Sequence, residues 1–189
     1  IALFIAPDEI ISALFGYGQF SENSVLNSAK ALYFFSLGLP AFAMIKVFSN
    51  FFFANHDTRT PFYLSLVSVV LNILISLYFF KSIGFIIIPI ATTISSWFNS
   101  ITLFLFLQKK NLFSFNKIFI KRIFKIIFSS ILMGLFFNYL MIIFDEQLSF
   151  EKSLKSIYLI LSVVLGLGFY LFISYLIKAF QLEDIKLKY

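Results

Sequence analysis

Five long apolar stretches dominate the sequence, at roughly 29–54, 61–80, 84–107, 119–144 and 154–177. Each has about 20 residues or more, enough for an α-helix rising 1.5 Å per residue to cross about 30 Å of hydrocarbon. Lipid offers the backbone no hydrogen-bond partners. Only helices and closed barrels satisfy every N–H and C=O inside a bilayer. Barrel strands run about 9–11 residues and alternate apolar with polar side chains. These stretches are about twice that length and apolar all round, so the predicted fold is all-α, a polytopic transmembrane helix bundle. Composition agrees. The 189 residues are 60% hydrophobic and 13% charged, against about 45–50% and about 25% in soluble domains. That is too little charge to cover a water-facing surface.

The segments between the spans set the organisation. Residues 1–6 read as the end of a sixth helix, giving five complete helices plus that end. The chain opens on Ile inside an apolar run, so the N-terminus of the natural protein is expected to be missing. Pro7, Asp8 and Glu9 are helix-start residues, with proline in the first turn and acids at the positive end of the dipole. Gly16 and Gly18 end that short helix, and residues 21–27 read as a polar loop. The expected division is 1–28 as a helix end, a short periplasmic helix and a loop, and 29–108 as three transmembrane helices. Residues 109–189 would then hold a basic cytoplasmic loop, two more spans and a tail.

Orientation follows from Lys and Arg. If the first complete span runs inward, Arg59, Lys109, Lys110, Lys117, Lys121, Arg122, Lys125, Lys178, Lys186 and Lys188 collect inside. Only Lys30, Lys81, Lys152 and Lys155 collect outside. The C-terminus is therefore expected in the cytoplasm.

Little here points to catalysis. The nine acids all fall in loops or at span ends, so a buried carboxylate relay of the kind found in pumps is not expected. With no cysteine and a single histidine, His56, no metal site, cofactor or catalytic triad is expected. Asp145, Glu146 and Glu151 read as a solvated outer loop. Lys46 is the one charge well inside a span, about nine residues or 13 Å from its end. A buried ammonium costs about 2.5–3.5 kcal/mol on insertion scales, so it should face a wet cavity or a partner. Asn50 lies one turn further on the same face. Contact with an anionic substrate group and snorkelling to the headgroups both remain open. Ser65, Ser68, Asn72 and Ser76, and likewise Thr92, Ser95, Ser96, Asn99 and Thr102, form stripes at helical spacing. They suit either a wet passage or hydrogen bonds between helices. Gly166 and Gly168, with Ser162 and Ser174, suit close helix packing. Lys117, Lys121 and Lys125 share one face, and Ile and Phe lie between them. That pattern suits anionic lipid at a membrane surface and argues against nucleic acid. In the turn Asp57-Thr58-Arg59-Thr60-Pro61, Thr60 is expected to cap the next helix with Pro61 at its first position.

Several of these motifs occur together in one known family. Leu14-Phe15-Gly16-Tyr17-Gly18-Gln19-Phe20 resembles the LFxRGxF loop of the MurJ/MviN family of lipid II flippases, with Tyr17 where that family often has Arg. Gly38-Leu39-Pro40-Ala41-Phe42, Lys46-Val47, Phe53-Ala54 and the turn Asp57–Pro61 resemble its next helix and turn, and Asn72 stands where the following helix often has Asn. The match runs from Leu14 to Asn72. The resemblance implies the C-terminal part of a fourteen-helix exporter fold in the bacterial inner membrane. It implies alternating-access movement of undecaprenyl-pyrophosphate-linked peptidoglycan precursor to the periplasmic leaflet, and so a part in cell-wall biogenesis and cell shape. Lys46, Asn50 and Asn72 are the substrate-binding candidates, and Asp57, Arg59 and Pro61 form the cytoplasmic turn. The implied partners are the precursor and membrane lipids. The alternative is a related lipid-linked polysaccharide exporter or a drug/cation antiporter of the same superfamily. A membrane enzyme acting on polyprenyl lipids would need clustered acids or histidines at an interface.

Overall fold

The computed structural model describes residues 1–113, 116–150, 152 and 154–179. Glu151, Lys186 and Lys188, which enter the sequence argument above, lie outside them. Among the described residues there are helices and no strands. Two short helices come first, α1 (Ala2–Ile5) and α2 (Pro7–Phe15), then three long ones, α3 (Glu22–Ala54), α4 (Arg59–Ile83) and α5 (Ile87–Lys109). A further long helix, α6 (Lys117–Ile143), a single turn, α7 (Asp145–Leu148), and α8 (Lys155–Leu176) complete the order. The five long helices stand where the five apolar stretches placed them. Asp8 and Glu9 lie in the first turn of α2 behind Pro7, as expected.

Two boundary expectations are corrected. Residues 21–27 are not a loop: α3 starts at Glu22. Ser21 Oγ accepts the Ser24 N–H at 3.2 Å, which satisfies one of the donors a helix start leaves free. At the head of α4, Thr60 is not the cap. Asp57 does that work, its carboxylate accepting the Thr60 N–H at 3.0 Å and the Thr60 hydroxyl at 2.7 Å. The helix accordingly starts two residues before Pro61.

The chain forms two compact units, residues 30–114 and residues 1–29 with 115–189. In the first, residues 59–109 amount to 51 residues of helix folded back on themselves at Gly84. That residue has φ +75°, a conformation only glycine adopts without strain. The result is the antiparallel hairpin of α4 and α5. Pro40 sits inside α3, where it deletes an N–H from the helix ladder. Close by, two α3 carbonyls take side-chain donors from α5: Phe34 O from Thr93 Oγ1 at 2.7 Å and Leu37 O from Trp97 Nε1 at 3.0 Å. Phe52, Leu103 and Leu107 form the fully buried apolar centre, with Phe48, Phe51 and Phe113 packed against it.

In the other unit α6 packs along α8. Phe136 stacks on Phe169 with ring centroids 4.4 Å apart, and buried Gly166 brings its backbone close to the Phe137 ring. The close packing that the sequence predicts for the last span holds at Gly166, with Ser162 and Ser174 also buried, but not at Gly168, which is exposed with open space where a side chain would stand.

Candidate functional site

The polar stripes of α4 and α5 face each other along the hairpin. Asn72 Nδ2 donates to Thr92 Oγ1 at 3.1 Å and to Ser95 Oγ at 3.2 Å. One level further along, Asn99 Nδ2 reaches Ser65 Oγ at 3.3 Å. Thr92 and Ser95 spend their own hydroxyl protons on backbone carbonyls of α5, which leaves their oxygens free to accept from Asn72. Of the two uses expected of the stripes, hydrogen bonding between helices is the one seen here. The residues bond the hairpin together, and with Phe42 and Ile45 of α3 they line a cavity of about 280 Å³.

Within that lining Asn99 is 6% exposed, and its carbonyl oxygen has no hydrogen-bond partner. An unmet acceptor in an apolar surrounding costs about 1–3 kcal/mol. The cavity therefore has unused capacity to accept a donor.

The three sequence-predicted binding residues are not brought into contact. Asn72 is in the seam and lines the cavity. Lys46 and Asn50 are exposed on α3, one and two turns beyond Phe42, which does line it. Among the described residues neither has a hydrogen-bond partner. Lys46 is thus a cation presented on the surface of α3, next to a polar cavity and outside it.

The turn residues make a tighter arrangement than the sequence suggests. Lys110, at the end of α5, forms an ion pair with Asp57 and also donates to Thr60 Oγ1 at 3.3 Å. The Lys110 ammonium, then the Thr60 N–H and hydroxyl, hold the Asp57 carboxyl well below the usual carboxylate range. A carboxyl depressed in this way contributes its stability above its unfolded value of about 3.8. That contribution is lost only as pH falls through the lower folded value, so the lock is intact at neutral pH. Pro61 is buried behind it, and Arg59 is exposed.

Sequence reasoning missed Lys155 altogether. It is 1% exposed, although it reads as one of the outer-loop charges. Its ammonium donates to Gly16 O at 2.7 Å and Phe150 O at 2.8 Å and lies 4.5 Å from the ring centres of both Tyr17 and Phe150. Next to it, Ser156 Oγ donates to Ala13 O at 2.5 Å. Having spent its one proton there, Ser156 must accept from the Tyr17 hydroxyl, 2.7 Å away. Together these contacts fasten residues 13–17 to the first turn of α8. A span-start lysine paired with a Gly-rich loop is a weak sequence signal, and nothing closer in the sequence announces it.

The sequence matches the family model described as lipid II flippase MurJ over residues 1–184. A protein of Thermotoga maritima named probable lipid II flippase MurJ is 32% identical over 185 residues, covering 98% of this chain and 36% of that protein. Proteins of the same name from Rhizobium meliloti and Rhizobium tropici are similar at 39% identity over 103 residues and 28% over 179. They cover 54% and 94% of this chain. The chain spans only 19% to 36% of the length of these relatives.

Proposed function

The chain belongs to the lipid II flippase MurJ family, and from that premise we propose that it is the C-terminal part of a transporter that moves a lipid-linked peptidoglycan precursor across the bacterial inner membrane. The whole transporter has fourteen helices on this reading. The direction is from the cytoplasmic to the periplasmic leaflet by alternating access, and the C-terminus is cytoplasmic. The role is transport rather than catalysis.

The observation that carries the reading is the family match over nearly the whole chain, in a bundle of helices long and apolar enough to span a membrane. The chemistry of the hairpin supports it. A pyrophosphate-linked sugar entering a bilayer needs hydrogen-bond partners and a counter-charge to replace its water. The Asn72 N–H groups are committed to α5, but its side-chain carbonyl can accept from a sugar hydroxyl; Asn50 offers an exposed amide, and Lys46, exposed on the same helix as Asn50, offers the counter-charge. Lys46, Asn50 and Asn72 are accordingly proposed as substrate contacts, Lys46 holding the anionic group.

The test uses the full-length parent gene in a bacterium depleted of its own lipid II flippase. The wild-type gene is expected to restore growth. Lys46→Ala, at equal membrane abundance, should reduce rescue about tenfold or more, the scale of one lost charge-assisted hydrogen bond. Rescue by Lys46→Ala equal to wild type would assign that lysine to the lipid headgroups instead. Failure of the wild-type gene despite normal insertion would remove the transport reading itself.

A further inference from the structure

Five carboxylates from three separate helix starts surround one hollow in the unit of residues 1–29 and 115–189. Asp8 and Glu9 come from the first turn of α2, Glu22 from the first residue of α3, and Asp145 and Glu146 from α7. Each is an ordinary residue for a helix start, where the dipole favours an acid. That accounts for each position separately but not for their shared cavity of about 300 Å³. Among the described residues no Lys or Arg pairs with any of the five. The one buried Lys or Arg among the described residues, Lys155, is already committed to the carbonyls of Gly16 and Phe150.

A second observation points to a ligand. Ser12, one turn along α2, lines the same cavity. It is 6% exposed, and its hydroxyl oxygen has no hydrogen-bond partner. The cavity wall thus holds an orphaned polar atom beside a set of uncompensated negative charges. Partial burial, then the neighbouring charges of Asp8 and Asp145, push the Glu9 carboxyl up from its ordinary value. That is the direction expected where a counter-ion is wanted.

The occupant is constrained by geometry. Among the described residues no three acidic side chains converge closely enough to hold a metal ion. A bare divalent cation demands several oxygens at about 2.0–2.6 Å. An ammonium makes longer, separate hydrogen bonds of about 2.7–2.9 Å to acceptors spread around it. A cavity of this size stands at the lower end of those that take small organic ligands.

We propose that this pocket is a binding site for an organic cation bearing a primary ammonium, paired with the spread carboxylates that line it, Glu9 and Asp145 foremost, beside the Ser12 hydroxyl. The assignment goes beyond transport and does not depend on it. The ammonium could be that of a free polyamine or of an ethanolamine lipid headgroup.

The full-length parent protein, held in nanodiscs of phosphatidylcholine, is titrated with spermidine and its thermal unfolding followed, with magnesium chloride as a parallel titrant. Spermidine is expected to raise the midpoint saturably, magnesium at the same charge concentration not to. In the double variant Glu9→Gln/Asp145→Asn the apparent Kd should rise about tenfold or more. The amides keep the side-chain size and remove repulsion, so without ligand this variant should melt no lower than wild type. Should it fail to fold, Ser12→Ala, with all the acids in place, decides the matter by a weakened Kd. Discs containing phosphatidylethanolamine that raise the midpoint and suppress the spermidine effect would identify the headgroup as the source; an unchanged effect would identify the free amine. A non-saturating response, one untouched by these substitutions, or one that magnesium reproduces would overturn the proposal.

Discussion

Replacing Lys155 with Met should lower the unfolding free energy by about 2–4 kcal/mol and expose the turn at residues 16–20 to proteolysis. Two terms oppose each other. Met removes the penalty for holding a charge out of water, which favours the variant. It also leaves the carbonyls of Gly16 and Phe150, now bonded at 2.7 and 2.8 Å, without donors, at about 1–3 kcal/mol each. Two ring faces lose their cation as well, each worth about 0.5–2 kcal/mol. With four partners already compensating the charge, the losses are the larger side. The site has no slack for repair. A Cβ on Gly16 would stand 2.5 Å from Ser12 O and 2.9 Å from the Lys155 ammonium. Thermal unfolding of the full-length parent in detergent, with limited proteolysis of the same samples, measures the effect. An unshifted midpoint with unchanged cleavage would mean that Lys155 is merely tolerated there.

Gly38→Leu should be about as damaging, at about 2–4 kcal/mol. A Cβ at Gly38 already meets Thr93 Oγ1 at 3.0 Å and a Phe42 ring carbon at 3.3 Å. Three further carbons have no room and would wedge α3 away from α5. The wedge would break the bonds from Thr93 to Phe34 O and from Trp97 to Leu37 O, both near Pro40, where the α3 ladder is already short of a donor. Gly38→Ala is the graded control, expected to cost about 1 kcal/mol because the Thr93 hydroxyl and the Phe42 ring can yield a few tenths of an ångström. Equal melting of wild type and Gly38→Leu would show that α3 and α5 are not held by close contact at this level.

The spans were legible because the bilayer imposes one length and one polarity, and both are properties of single segments. The helix ends were less so. Residues 21–27 are polar enough to read as a loop, yet Ser21 and Ser24 have capping spacing and the helix runs on past its apolar part. At the turn before α4 the cap is Asp57 and not Thr60, because a carboxylate can take the Thr60 N–H and hydroxyl together.

The hairpin seam was half legible. Helical spacing placed Asn72 and Asn99 on polar faces, but which hydroxyls they meet depends on the register set at Gly84. Lys46 lies near the cavity without entering it, a distinction no periodicity could make. Lys155 could not be found at all, since its partner Gly16 is 139 positions away. The acids of this pocket were read one helix at a time as ordinary start signals and a solvated loop. Only the fold sets Glu9, Glu22 and Asp145 around one cavity.

The proposed activity is tested most directly by following the precursor itself. Cells depleted of their own lipid II flippase and carrying the full-length parent gene are given an enzyme that cleaves the lipid-linked precursor only at the outer leaflet. Cleavage product should appear at a rate that follows expression of the parent protein and falls about tenfold or more in Lys46→Ala. Precursor that accumulates uncleaved while the wild-type protein is abundant in the membrane would contradict the account.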